Sequence, residues 1–481
     1  MSSFFEEERN LRIKGYFSFI GHTLTTLITG NTLSLLQFSN YYLSYLSKNG
    51  LNIQKYYSRI FIALVITLSN FSNILSNILS YYLNLKTIIF ISYFLLMTSV
   101  LLLYYSFNLI LIFLAFIFYG IGIGFSYHPL INNTSNYFPE KKSLFSFINL
   151  IIFSISSPLF YLILDKIIET NNGNFIEGIK KYFYFLIGLY IFFGLISISI
   201  IFDYQKQFFD ESEFDEELSD LEDNNNIETS INLSIIGKKN ESVKIKKNYK
   251  KSSSLPSKKT SNAELVLLTS TFDYNSIHNF YNKIFHEIKN RNFWVISIFY
   301  FTSMLVVFNF FIKIREKEIF RFIISISIFR FFGPFILKII GSKFLSLITI
   351  FIQMIILILE KYYNLTSRQK LFIIIGKGFS FGIYSIIISS IIPQKFGYET
   401  NFILTGIIIS FGTLSLWLNF LFRIFVNDPE FEFSVLLILC FLSIIFLLMI
   451  KGSFISYNRK NSNEKNKSFD SNYELEDKED D

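Results

Sequence analysis

Cysteine is all but absent. Cys440 is the lone one in 481 residues, so the chain can form no internal disulfide, no cysteine metal cluster and no thiol redox pair. Histidine is nearly as scarce, and the four, at 22, 128, 278 and 286, lack metal-ligand spacing, which argues against a bound metal. There is no phosphate-cradling Gly-x-x-x-x-Gly-Lys loop, no Gly-x-Ser-x-Gly elbow and no His-Glu-x-x-His helix. An ATP-driven pump is thereby disfavoured, and neither catalytic residues nor a cofactor is expected. Alanine occurs only at 63, 115 and 263, whereas phenylalanine occurs 60 times and tyrosine 29 times. In such a composition a Phe-rich helix face is ordinary lipid contact sooner than an aromatic ligand cage.

Charge is missing from long stretches of the chain, and that is the strongest signal. With 51% hydrophobic residues gathered into runs long enough to cross a bilayer, the chain reads as a polytopic membrane protein. Helices are expected at about 15–43, 58–83, 87–105, 109–131, 143–164 and 182–202, and again at about 293–312, 319–340, 344–359, 371–392, 402–425 and 431–450. These are two sets of six. The polar start 1–14 is unlike the basic leader of a cleaved signal peptide, so the first helix is expected to stay.

Between the halves 15–203 and 290–451, residues 204–289 hold no run able to span. An acidic block, DESEFDEELSDLED at 210–223, precedes a basic one from Lys238 to Lys259. Such a composition buries too little apolar surface to fold alone, so a disordered loop is expected, as is a disordered tail at 452–481. The basic block fits a lipid headgroup surface or a partner of unknown identity; nothing calls for nucleic acid.

The stretch Gly120 to Lys142, GIGIGFSYHPLINNTSNYFPEKK, organises the rest. Gly120, Gly122 and Gly124 lie inside an apolar run and cannot open a dinucleotide-binding helix. They are helix-packing residues, because in lipid close backbone approach carries much of helix association. The pattern Gly-x-Gly-x-Gly, Tyr-x-Pro, Tyr-Phe-Pro-x-Lys-Lys-x-Leu resembles the fourth helix and following loop of the monocarboxylate porter and oxalate:formate antiporter branch of the major facilitator superfamily. Asn292-Phe293-Trp294 and the Phe396-Gly397 pair after Pro393 resemble that branch's seventh-helix start and tenth-helix exit. The resemblance implies an all-α fold of twelve transmembrane helices in two six-helix halves, with the solute bound between them. It also implies a secondary transporter of a small organic anion and puts both termini on the cytosolic side. Loops assigned to the outside nevertheless carry more lysine and arginine than the short inside loops, against the usual bias.

Ionisable groups within the bilayer are costly and are functional candidates by default. Arg330 lies mid-helix in SISIFRFFGPF, and Lys377 lies between Gly376 and Gly378. A guanidinium grips a carboxylate with two parallel hydrogen bonds and cannot be titrated away. The resemblance assigns Arg330 that role; Lys377, as a second intramembrane cation, is an assisting substrate-binding candidate, and so are Asn309 and Asn31, at comparable depths in the first helix of each half, with interhelical hydrogen bonding as their alternative role. Arg330 and Lys377 both have a structural alternative, as snorkelling side chains bonded to backbone carbonyls or interface water. His128 is the proton-coupling candidate, with a hydrogen-bonded scaffold role beside Tyr127 and Pro129 as its alternative. The aspartate that many proton-linked members carry one turn before the arginine is here Ile326, and the Gly-x-x-x-Asp-Arg-x-Gly-x-Arg loop reads NILSYYLNLK, keeping only Lys86. Asn70, Asn73 and Asn77, on one helix face, are expected to form an interhelical seam. The rivals are a facilitator for an amino acid, sugar or drug-like molecule, and a non-transporting scaffold whose central loop binds a partner. The membrane, plasma or organellar, is left open.

Overall fold

The computed structural model describes residues 2–51, 53–54, 56–80, 82–138, 141–170, 175–204, 282–315, 318–363, 366–396, 401–425 and 428–450. Among them every regular element is helical. The first apolar segment is divided into α1 (Ser2–Thr29), a 3-10 turn (Gly30–Leu33) and α2 (Leu35–Lys48). Then come α3 (Tyr57–Leu79), α4 (Leu85–Tyr105), α5 (Leu109–Tyr137), α6 (Lys142–Glu169) and α7 (Phe175–Ile200). The second half holds α8 (Arg291–Lys313), α9 (Ile319–Ile340), α10 (Ser342–Tyr362), α11 (Ser367–Phe396), α12 (Asn401–Phe425) and α13 (Pro429–Met449).

Several expected boundaries differ: α5 runs on to Tyr137, α7 begins already at Phe175, and two polar stretches are helical. The polar start to Lys14 is helical and continuous with α1, since glutamate and arginine are good helix formers and no proline interrupts them. Residues 282–289, expected in the central loop, are helical up to Asn290, whose side chain accepts from the Asn292 N–H at 3.0 Å and caps α8. The rest of that loop, 205–281, and the expected tail lie outside the described residues.

Helices α3 to α13 are each long and apolar enough to cross a bilayer. The divided first segment makes the twelfth crossing. It starts where Ser18 donates to the Phe202 carbonyl beyond α7, and it ends beside α4, where Tyr42 donates to the Leu103 carbonyl. The chain is a multi-pass membrane protein. Successive helices run antiparallel, so one end of the bundle holds the end of α7 and the start of α8. This linker end also gathers the starts of α4 and α10 and the end of α13, through Leu85 to Asp203 at 2.9 Å and Lys343 to the Ile450 carbonyl at 3.3 Å.

The halves repeat one packing scheme. Helix α5 lies on α3 and α4, and α11 lies on α9 and α10; between the halves α3 meets α12 and α6 meets α9. At Gly120 and Gly124 the α3 backbone comes so close that an added Cβ would sit 2.9 Å from the Val65 oxygen and 2.6 Å from Ser72 Cβ. Gly122 faces the other way, where a Cβ would meet Leu96 and the Ser92 oxygen at 2.8 and 3.0 Å. The hydroxyl of Ser92 then bonds the buried Gly122 carbonyl at 2.6 Å, and that of Ser76 bonds the Gly124 carbonyl at 3.3 Å. Polar side chains thus use the closeness that the missing side chains allow.

The break in the first segment has a partner of its own. Ser157 of α6 donates to the Gly30 carbonyl at 2.6 Å and accepts from the Leu33 N–H at 3.3 Å, while Ser156 bonds the Leu27 carbonyl at 2.5 Å. Backbone groups freed inside the bilayer must be satisfied by protein, and here a neighbouring helix supplies the hydroxyls.

Candidate functional site

Where the halves meet they enclose a cavity of about 500 Å³, lined from α3, α5, α6, α8, α9, α11, α12 and the turn of the first segment. Its lining on α5, α9 and α11 comes from their C-terminal halves, and on α6 and α12 from their N-terminal halves. The cavity therefore reaches from mid-bundle towards the linker end. At the opposite end the halves are held together: Arg59 donates to the Ile314 carbonyl at 3.2 Å, and the rings of Tyr161 and Phe320 stack at 4.7 Å.

Arg330 is the one charged residue lining this cavity among the described residues. Helix α9 carries it there, and Gly382 of α11 makes room: an added Cβ would stand 3.0 Å from the Ile326 oxygen and 3.4 Å from the Arg330 nitrogen. Pro334, one turn on, lacks the N–H that would bond the Arg330 carbonyl, so the helix is loosened at the cavity wall. The guanidinium lies near two rings, 5.6 Å from the Phe153 centroid and 5.8 Å from that of Phe381. Only 8% of the residue is exposed, it makes no ion pair with any described residue, and Nε is buried without a hydrogen-bond partner. A buried cation in this condition is costly, and an anion entering the cavity would relieve it. Tyr127 and Tyr300 line the same region.

The other expected site residues go elsewhere. Lys377 lines α11 away from the cavity, with Nζ 2.5 Å from Glu360 Oε1 of α10 and 5.2 Å from the Phe310 ring centroid. A cation already neutralised by a carboxylate has no charge to spare for a solute. Asn309 donates to Glu432 Oε1 at 2.6 Å, and the second oxygen of Glu432 pairs with Lys313 at 3.1 Å, beyond the cavity and at the end remote from the linker. Asn31 accepts from the Tyr119 hydroxyl at 2.8 Å, and Tyr190 donates to Tyr119 at 3.1 Å. Only its neighbours Thr32 and Leu33 reach the cavity. The backbone at His128 belongs to α5, and its side chain lies outside the described residues.

Two of the seam asparagines are cavity residues instead. Asn70 and Asn73 line it, and Asn73 Oδ1 is buried without a partner, while Asn77 bonds the Asn73 carbonyl at 2.9 Å. Spacing put them on one face but could not say what that face meets. Phe153, Tyr300 and Phe381 were also missed, since single aromatics carry no signal in a chain this rich in them.

No known family's sequence profile matches the chain, and no curated protein matches it in sequence. Solved structures do. The Escherichia coli xylose transporter XylE in a partially occluded inward open conformation superposes with a TM-score of 0.58 at 12% identity, covering 91% of this chain and 100% of that one. The same transporter in its inward open conformation gives 0.58 at 12% identity over 90% and 94%. A bacterial homologue of the human drug peptide transporters PepT1 and PepT2 gives 0.53 at 12% identity over 91% and 96%. This chain has the major facilitator fold. In that fold the solute site lies near the bilayer midplane between the halves.

Proposed function

We propose that the protein is a secondary active transporter of a small organic anion, a monocarboxylate by the motif resemblance, working by alternating access. The observation that carries this reading is the unpaired, buried Arg330, the lone charge among the described residues that line a cavity between two repeated halves. The guanidinium offers two parallel N–H donors to a carboxylate, with the rings of Phe153 and Phe381 close by. The cavity leads to the linker end, which the resemblance makes the cytosolic side. No catalytic step or cofactor enters this reading.

The test is uptake of labelled lactate, pyruvate, formate and oxalate into proteoliposomes, with and without a pH gradient, for the wild type and Arg330→Gln. Removing a charge-assisted bidentate contact is expected to cut uptake about tenfold to a hundredfold. Uptake unchanged in Arg330→Gln would remove the anion assignment. A second reading, a neutral hydroxylated solute, draws support from the Ser, Thr and Asn groups at positions such as 73, 135, 389 and 405. It predicts sugar-like uptake that ignores competing anions.

A further inference from the structure

We propose that the solute is a monoanion with an aromatic or comparably flat apolar body and no ammonium group: an aromatic monocarboxylate, as distinct from a short aliphatic acid or an aromatic amino acid. The inference rests on the organic-anion reading above and refines it.

Charge comes first. The described lining contains one cation and no aspartate or glutamate. A single carboxylate neutralises that cation. A second carboxylate would enter a low-dielectric cavity with nothing to pair it, and an ammonium would meet Arg330 as a like charge with no acid nearby. Zwitterions and dianions are therefore disfavoured against monoanions.

The surroundings of the guanidinium then constrain the body. Phe153 and Phe381 pack near the guanidinium and line the same cavity, so a carboxylate that reaches its N–H groups from the cavity comes to lie among aromatic rings. A carboxylate bound there directs its substituent into the space walled by Tyr127, Tyr300, Met304 and Phe308. These walls are not lipid contacts that a Phe-rich composition would supply anyway: Tyr300, Met304, Phe308 and Phe381 are all buried. Aromatic walls favour an aromatic guest through offset and edge-to-face contacts. A volume of about 500 Å³ lies in the range of sites for ligands much larger than two- or three-carbon acids.

The experiment uses the full chain in proteoliposomes and three labelled probes: 3-phenylpropionate, which has ring and anion, propionate, which has the anion alone, and phenylalanine, which adds an ammonium. We expect 3-phenylpropionate uptake to exceed propionate uptake at equal low concentration by roughly tenfold or more, as burying a ring would give. Arg330→Gln should abolish the difference, and phenylalanine should neither enter nor compete. Tyr300→Phe, which keeps ring and volume, should retain that preference, whereas Tyr300→Ala should lose it. Propionate uptake equal to or above that of 3-phenylpropionate, still dependent on Arg330, would overturn the aromatic assignment and leave the anion reading intact. Phenylalanine uptake matching 3-phenylpropionate would overturn the exclusion of ammonium. No uptake of either acid by monodisperse protein of unchanged melting temperature would defeat both readings.

Discussion

Arg330 and Lys377 looked alike as sequence, each a cation in an apolar helix, and the structure separates them by what lies opposite. Glu360 is 17 positions from Lys377 and on another helix, so only the antiparallel pairing of α10 and α11 brings the carboxylate within 2.5 Å. That is why the pairing was illegible, whereas Arg330, with no such partner, was legible from the cost of its burial alone. The pairing predicts that Lys377→Gln lowers the melting temperature more than the double variant Lys377→Gln/Glu360→Gln, because the single change strands a partly buried carboxylate. The double variant should still show Arg330-dependent uptake; loss of uptake with folding intact would return Lys377 to the solute path. Asn309 likewise answers to Glu432 and Lys313, charges that a search for residues at matching depths in two helices does not weigh.

Helices were the easiest elements to read, because in lipid a long uncharged run has few alternatives to a spanning helix. The glycine-stepped run became α5, and its close approach to α3 at Gly124 yields a direct prediction. Gly124→Val should clash with the Ser69 carbonyl and Ser72 and lower the yield of folded protein, while Gly188→Val, where nothing lies within 4 Å, should be tolerated. Thermal melting of the two purified variants decides it, and equal melting temperatures would count against tight packing at Gly124. The division of the first segment was not legible. Gly30 and Asn31 alone do not break a helix; the break is stabilised by Ser156 and Ser157, more than a hundred positions away.

At the scale of the molecule, two sixfold sets of apolar runs announced the two halves, and the described helices α3 to α13 with the divided first segment fill that layout. Sidedness was harder, because counting short loops passed over cations in the terminal turns of helices at the linker end, such as Arg291 and Lys338. The halves also had to be tied somewhere, and the tie opposite the cavity is Arg59 on the C-terminal carbonyl of Ile314, just past α8, where a cation also complements the helix dipole. Arg59→Gln should loosen that end, so amide hydrogen exchange in the first turn of α3 and the last turn of α8 is expected to rise while α5 stays protected. Unchanged exchange there would mean that Arg59 does not hold the halves closed.

The solitary Cys440 has a use in following such motion. It is fully buried in α13, and an apolar surround keeps a thiol unreactive. The native chain is thus a nearly silent background for paired nitroxide labels, and cysteines put at exposed Tyr82 and Ile339, on opposite halves at the linker end, would report their separation by dipolar electron resonance. A mouth that shuts as solute crosses would draw that distance distribution inward, without any residue of the cavity having been altered.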